Sequence, residues 1–301
     1  MQQFAQLSDP HLSSLENVQR GQLRGKRFLG YLSWRRKRKD EHRPEVLDAL
    51  LADIATRSLD QVVVTGDLTH VGLPSEFRQA RDWLERLGSA DQVTLVPGNH
   101  DACVAEPWSD TFALWEDYLR SDPEAGTQDW FPSLRVRGEI AFIGLSTACP
   151  TPPLMASGRV DTAQLDALPE LLEATRRRNL FRVLYLHHSP VPGQEKWRKR
   201  LANADTVAGL VAAHGAELVL HGHGHRARRE NLSGPDGDVP VIAVPSASAL
   251  GLHGADLAAY NCYQVHRGRT GWDLRIECRR YNRDTGHFEE GESSTILLPR
   301  G

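Results

Sequence analysis

An α/β fold whose second sheet is completed late in the chain is the class this sequence predicts, on three observations. Short apolar runs of strand length alternate with longer amphipathic runs through the first two thirds. The last third carries strand-like runs joined by Gly-rich turns with no helix between them. Several of the early runs end on Asp, His or Asn. In order, FAQL (4–7) reads as a strand, PEVLDALLADIATRS (44–58) as a helix, QVVVTGD (61–67) as a strand and EFRQARDWLERLG (76–88) as a helix. QVTLVPGN (92–99) and EIAFIGLS (139–146) follow as strands, TAQLDALPELLEATRRR (162–178) as a helix, then RVLYLHH (182–188) and AELVLHG (216–222) as strands. The strands are nearly continuous apolar runs, which marks burial on both faces. VPVIAVPS (239–246), NCYQVHR (261–267) and WDLRIECRRY (272–281) are expected to finish the second sheet. No repeat or low-complexity linker interrupts the pattern, so residues 1–301 read as a single domain.

Composition bounds the function. The chain has 301 residues, 40% apolar and 25% charged, with a net charge of -3. Such a balance gives no overall pull toward nucleic acid or membrane, so any such affinity must come from a local patch. Four cysteines without a CxxC pair fit a reducing compartment. The start lacks an export-type apolar region, and no apolar run reaches the roughly 18 residues of a membrane span. A cytoplasmic protein, at most peripheral on the membrane face, is expected.

The strand ends carry the chemistry. FAQL runs into Asp9 and His11, VVVT into Gly66-Asp67, VTLV into Gly98-Asn99-His100-Asp101, VLYL into His187-His188, and LVL into His221-Gly222-His223-Gly224-His225. In an open α/β sheet, ligands bind in the crevice beyond the carboxyl ends of the strands. Imidazole mixed with carboxylate and amide oxygen suits borderline divalent ions, whereas an all-oxygen set would suit Ca or Mg. One zinc-type ion needs three or four ligands, and the number of candidates here points to two ions. Neighbouring strand residues point to opposite faces, so only one of His187 and His188 is expected to be a ligand. Asp and Asn also favour turns after strands, so each motif alone is weak and the set carries the argument. His42, His70, His214, His253, His266 and His287 fall in no pattern and read as ordinary polar residues.

The ordered series Asp9-x-His11, Gly66-Asp67, Gly98-Asn99-His100-Asp101, His187 and Gly222-His223-x-His225 resembles the calcineurin-like metallophosphoesterase family. The resemblance runs from Asp9 to His225. It implies a four-layer αββα sandwich, α/β of the α+β type, with two mixed sheets and a dinuclear metal site at the strand C-terminal edge. It further implies two divalent transition-metal ions, Mn, Fe or Zn. Asp9, His11 and His225 would hold the first, Asn99, His187 and His223 the second, and Asp67 would bridge both. The family often shows His-His-Pro-Pro with the first His on the metal, which favours His187 in His187-His188-Ser189-Pro190. His221 matches no ligand position. The implied activity is hydrolysis of a phosphodiester or pyrophosphate by a hydroxide shared between the ions. His100 would serve the leaving alkoxide, and Asp101 would orient His100 and keep it charged. A relative that kept the fold as a non-catalytic interaction scaffold would have lost ligands, and none is missing here.

The substrate is addressed by one segment, RGKRFLGYLSWRRKRKD (24–40), within an insertion at about 20–42. Cations flank an apolar, aromatic middle, a composition that suits an anionic membrane surface or a lipid tail. Leaving the first motif directly, it is expected to overhang the crevice, with Trp34, Arg35 and Arg36 contacting an anionic phosphate-containing small molecule or lipid. Within the superfamily it resembles enzymes cleaving UDP-2,3-diacylglucosamine, and equally cyclic-nucleotide phosphodiesterases. A nuclease is the further alternative. The acidic net charge and the lack of an accessory DNA-binding unit argue against nucleic acid as a partner.

Overall fold

The computed structural model describes residues 1–12, 14–125 and 130–299. Twelve strands among these residues form two six-stranded mixed sheets. The first is built on β1 (Gln2–Leu7), β2 (Gln61–Val64) and β3 (Val93–Leu95), which run parallel. The second contains β4 (Ser133–Arg137), β5 (Ile140–Gly144), β6 (Phe181–Tyr185), β7 (Leu218–His221), β8 (Arg228–Gly234) and β9 (Gly237–Ala243), in the order β4-β5-β6-β7-β9-β8. β10 (Ala259–Arg267), β11 (Gly271–Asn282) and β12 (His287–Pro299) complete the first sheet in the order β12-β11-β10-β1-β2-β3.

That route corrects the expectation that the tail finishes only the second sheet. VPVIAVPS does join it, as β9, but NCYQVHR and WDLRIECRRY return to the first. β2 occupies one edge of β1 and leaves the other open. β10 closes it antiparallel, with Ala5 opposite Cys262 and Gln6 opposite Asn261.

Helices cover the outer faces. α1 (Lys26–Ser33) and the short α2 (Lys39–Glu41) belong to the insertion. α3 (Pro44–Ala55) and α4 (Pro74–Leu87) cover the first sheet; each begins on a proline, whose missing N–H would be unpaired at a first turn anyway. α5 (Glu116–Leu119) is a single turn. α6 (Thr162–Arg177), capped by the Asp161 carboxylate accepting from the Gln164 N–H at 2.9 Å, and α7 (Ala204–His214) cover the second sheet. α7 lies in a stretch without strong periodicity, but β6 and β7 are parallel and require a crossover of this kind.

Alternation along the strands sorts side chains into three apolar layers. Ala5, Leu7, Val62 and Val64 face α3 and α4. Ala141, Ile143, Leu184 and Val219 face α6 and α7. Phe4, Val63, Phe142, Val183, Tyr185, Leu218 and Tyr263 meet between the sheets, with Phe4 stacked on Tyr263 at 4.7 Å and edge-on to Phe142. Three cores separated by two sheets make the αββα sandwich. Each fully buried Leu, Val or Phe in them stabilises the fold by roughly 1.5–3 kcal/mol before chain entropy is set against it.

The insertion is fastened to this frame. Trp34 packs with Leu15, Val71, Leu73 and Cys103. Arg27 is buried, donating from Nε to the Val71 carbonyl at 3.1 Å and from Nη1 to Glu106 at 2.5 Å. The Glu41 carboxylate accepts the N–H groups of Leu252 and His253. Beyond Ser33 the helix widens into a π-type turn over Trp34–Arg38.

Candidate functional site

The C-terminal ends of β1, β2, β3, β6 and β7 converge. Five residues of this edge adopt left-handed backbone conformations although none is glycine: Asp9, His11, Asp67, His223 and His225, with φ between 44° and 68°. Such conformations are unfavourable for residues with a side chain and persist where surrounding structure imposes them. The period-two spacing of His223 and His225 would suit an extended backbone across Gly224, but the strand ends at His221 and both histidines are turned by left-handed kinks. Glycines allow the loops to approach. A Cβ on Gly98 would lie 2.1 Å from Asp67 Oδ1, and one on Gly222 would lie 1.8 Å from Ser8 Oγ.

Seven residues expected to hold metal come together. Asp9, His11, Asp67, His187, His223 and Asn99 are buried, and His225 is partly so. Asp9 Oδ2 accepts from Ser8 Oγ at 2.5 Å and from the His223 N–H at 3.0 Å, while Oδ1 lies 3.1 Å from His225 Nε2. Burial would raise the Asp9 carboxyl, but His225, His187 and the Ser8 hydroxyl outweigh it and hold it far below the usual range. Asp67 Oδ2 is 3.3 Å from His187 Nε2, and Oδ1 accepts the His100 N–H at 2.7 Å. Burial is the largest single influence on His187 and lowers it, but Asp67, Asp9 and the Thr65 carbonyl together outweigh it and draw the ring up to about 9.

The hydrogen bonds assign the imidazole nitrogens. His11 Nδ1 sits 2.9 Å from the Thr69 carbonyl and His187 Nδ1 sits 2.7 Å from the Thr65 carbonyl. A carbonyl only accepts, so each Nδ1 carries a proton and Nε2 is the atom turned inward; a cation there would take the place of the second proton that Asp67 and Asp9 favour on His187. His187 Nε2 then faces Asn99 Oδ1 at 3.2 Å and His223 Nδ1 at 3.3 Å, and His11 Nε2 faces His225 Nε2 at 3.4 Å. Acceptor atoms crowded this closely repel, and two buried atoms, Asp9 Oδ1 and His223 Nε2, make no well-directed hydrogen bond among the described residues. Divalent cations between these atoms would satisfy both conditions, so the donor set fits them. His188 differs: Nδ1 meets Thr147 Oγ1 at 2.7 Å and Nε2 meets the Ala156 carbonyl at 3.1 Å, so both nitrogens are engaged. His221 is buried, its pKa pushed down to about 4 by that burial, and its ring lies outside the metal-type clusters of the described residues.

Three expectations need correction. Asp101 makes no hydrogen bond to His100 among the described residues. Its carboxylate accepts the N–H groups of Asp67, Thr69 and Gly98 and the Thr69 hydroxyl, at 2.9–3.0 Å, and so staples the loop after β2 to the loop after β3. Burial and the Asp67 charge raise it to about 7 against those four donors. His100 is positioned by the His70 carbonyl, which accepts from Nδ1 at 2.6 Å, and Arg38 Nη1 stands 3.1 Å from the same nitrogen as a neighbouring charge. Burial and the Arg38 guanidinium hold His100 well below its ordinary 6.5, so it is neutral at rest rather than kept charged. Trp34 is buried beneath the insertion, and Arg35 and Arg36 are exposed outside both cavities described next. The cation that the basic run delivers to both cavities is Arg38, with Lys37 beside it on the inner one.

Two connected cavities lie over the cluster. The inner one, about 360 Å³, is lined by Asp67, Asn99, His100, His223, His225 and His42 among others. Arg38, Ser33, Asn99, His100, Ala156 and Lys199 are shared with an outer one of about 640 Å³. The outer wall combines Leu29, Leu154, Met155 and Trp197 with Lys26, Lys196, Arg198 and Lys199. None of these four cations, nor Arg38, has an ion-pair partner among the described residues, although Lys26 donates to Thr151 Oγ1 at 2.6 Å. His42 and His70, which sequence reasoning passed over, both belong here: the rings stand 4.5 and 5.0 Å from that of His11. The only sequence signal for His70 is its place three residues beyond Asp67; His42 has none.

Comparison with known proteins agrees with this geometry. A 3′,5′-cyclic-nucleotide phosphodiesterase of Nostoc sp. is 26% identical over 281 residues, 91% of each chain. A probable cyclic nucleotide phosphodiesterase of Synechococcus sp. is 29% identical over 182 residues, 60% of this chain, and the match spans 63% of that relative's length. A dimetal phosphatase from Danio rerio has the same fold, with a TM-score of 0.61 at 15% identity over 100% of this chain and 99% of that one. The sequence pattern of the calcineurin-like phosphoesterases matches residues 3–227, and this chain belongs to that family, a family of metallophosphoesterase hydrolases.

Proposed function

We propose that the chain is a dinuclear metal-dependent phosphodiesterase acting on 3′,5′-cyclic nucleotides. The observation that carries the reading is the inner cavity, where converging nitrogen lone pairs and carboxylate oxygens open directly onto an outer cavity rimmed by unpaired cations. The substrate class is supported by the likeness to the Nostoc 3′,5′-cyclic-nucleotide phosphodiesterase and the probable Synechococcus one. Asp9, His11 and His225 would hold one ion and Asn99, His187 and His223 the other, with Asp67 available to both. Two divalent ions there would supply phosphoryl charge neutralisation and a nucleophile at neutral pH.

The chain's own groups do the rest. Arg38, Lys26 and Lys199 draw the phosphate inward, and the apolar wall of Leu29, Met155 and Trp197 receives the organic part. His100 holds its Nδ1 proton against the His70 carbonyl. When an anionic phosphate offsets the repulsion from Arg38, His100 gains a second proton to give to the leaving oxygen. Asp101 positions the loop that carries Asn99 and His100 rather than touching the substrate.

A second reading, an acylated nucleotide pyrophosphate taken from an anionic membrane surface, is favoured by Phe28, Leu29, Leu154 and Trp197, all substantially exposed on or beside the outer cavity. No helix of the described residues is long and apolar enough to cross a membrane. Assays on cyclic AMP, cyclic GMP, bis(p-nitrophenyl) phosphate and UDP-2,3-diacylglucosamine, with Mn, Fe or Zn supplied after chelation, rank the readings. Hydrolysis that survives complete chelation would remove the metal-dependent reading, and turnover of the acylated substrate alone would replace the first with the second.

A further inference from the structure

His42 ends the insertion two residues before α3, and nothing in its sequence context marks it. Its ring centroid lies 4.5 Å from that of His11 and 5.6 Å from that of His225, and one nitrogen from each of the three rings falls within 4.8 Å of the others. The residue is 8% exposed and lines the inner cavity.

The hydrogen bonds behind the ring accommodate a tautomer protonated on Nδ1. Ser246 Oγ lies 2.6 Å from the Asp9 carbonyl, which can only accept, so the Ser246 hydroxyl proton is committed there. Ser248 Oγ lies 3.3 Å from Ser246 Oγ, which with its own proton committed can accept the Ser248 hydroxyl beside the Ser248 N–H. Ser248 Oγ, 2.8 Å from His42 Nδ1, then accepts the Nδ1 proton. The chain of donations leaves His42 Nε2 as a bare lone pair toward the cavity. His11 and His187 are arranged in the same way, through the Thr69 and Thr65 carbonyls. Metal-ligating imidazoles characteristically donate the other N–H to an oxygen acceptor.

We infer that His42 Nε2 is an additional ligand of the ion held by Asp9, His11 and His225, with Ser248 and Ser246 as its positioning residues. This rests on the dinuclear reading above. A further imidazole on that side makes the pair of ions unequal. The ion beside His42 would have one more protein donor than the ion beside Asn99, His187 and His223, and would be held more tightly.

The test is a competition titration of Mn(II) and Zn(II) against a chromophoric chelator, using wild type, His42→Ala, His42→Gln and Ser248→Ala. Wild type is expected to release two ions in two separate steps. Both His42 variants should weaken the tighter step by about 10–100-fold, and Ser248→Ala should weaken it by less. Visible absorption of the Co(II)-loaded protein should change in the His42 variants. His42→Gln keeps much of the ring's volume and guards against a folding defect, which metal-free thermal melts would reveal. Titration curves and Co(II) spectra of both His42 variants that superimpose on wild type would overturn the inference, as would a change in KM alone. A wild-type chain that takes up no divalent ion would instead overturn the dinuclear reading on which it rests.

Discussion

Replacing Gly222 with alanine tests the close approach of the β7 loop to the β1 loop. The new methyl would lie 1.8 Å from Ser8 Oγ, 2.9 Å from Ser8 Cβ and 2.7 Å from Asp9 Oδ2. Ordinary contact begins near 3.4 Å, so the two loops must part by about 1.5 Å. Neither can yield easily. Gly222 N–H donates to the His187 carbonyl at 3.0 Å, and Ser8 is fully buried and bonded to Asp9. Overpacking of this kind destabilises by about 1–3 kcal/mol, and a displacement of about 1 Å among reacting groups lowers rate by about 100-fold. Gly224, two residues on, has no atom nearer its hypothetical Cβ than Glu195 Oε1 at 3.6 Å, so Gly224→Ala should remain near wild type. Adding Ser8→Ala to Gly222→Ala removes the 1.8 Å contact but leaves those to Ser8 Cβ and Asp9, so partial, non-additive recovery is expected. The assay is metal-saturated hydrolysis of bis(p-nitrophenyl) phosphate beside a thermal melt. A Gly222→Ala protein within twofold of wild type in both would refute the reasoning.

Further outcomes follow from other contacts. His100→Asn should retain its metal complement while kcat falls by about 10²–10⁴; a wild-type rate would end the role given to His100. The Arg182–Glu217 pair is almost wholly buried, with two guanidinium bonds of 2.7 and 2.9 Å to the carboxylate. Glu217→Ala should lower unfolding stability in urea by about 3–5 kcal/mol, because it strands a buried cation; a loss below about 1 kcal/mol would contradict that account. Burial would raise the Asp53 carboxyl, but Arg279 and Tyr260 overcome it and hold the pKa below its ordinary 3.8. Its stabilisation is therefore complete above 3.8 and disappears as pH falls through the lower, folded-state value. The urea midpoints of wild type and Asp53→Asn should accordingly differ more at pH 7 than at pH 3, and a constant difference would show that the carboxylate's charge is not responsible.

The features legible in the sequence were those set by local pattern. Apolar runs that stop at Asp9, Asp67, Asn99, His187 and His223 announce both the strands and the edge where they end, because burial on two faces forces apolar continuity up to the turn. The tail could not be placed in this way. Whether β10 joins one sheet or the other depends on which edge is open, and no residue within 261–267 records that. Trp34 looked like a surface aromatic because cations surround it in sequence, yet the turn it occupies rotates it onto Val71 and Leu73 while Arg38 points back to His100. Asp101 was misread for a related reason: adjacency to His100 in the chain says nothing about where its carboxylate turns, and three backbone N–H groups claimed it. His42 arrives at the site through the path of an insertion and has no periodic neighbour to give it away.

The two connected cavities divide labour along the polypeptide. The inner walls join the strand-end loops to the close of the insertion, Arg38 and His42 among them, whereas the outer walls come largely from three excursions, around 26–38, 154–156 and 196–199. Because the excursions around 154–156 and 196–199 carry no residue of the ion-binding nest, their length and makeup can drift further than those of the insertion, which is tied to the nest through His42. A lineage built on this plan could exchange its clientele while preserving its reaction.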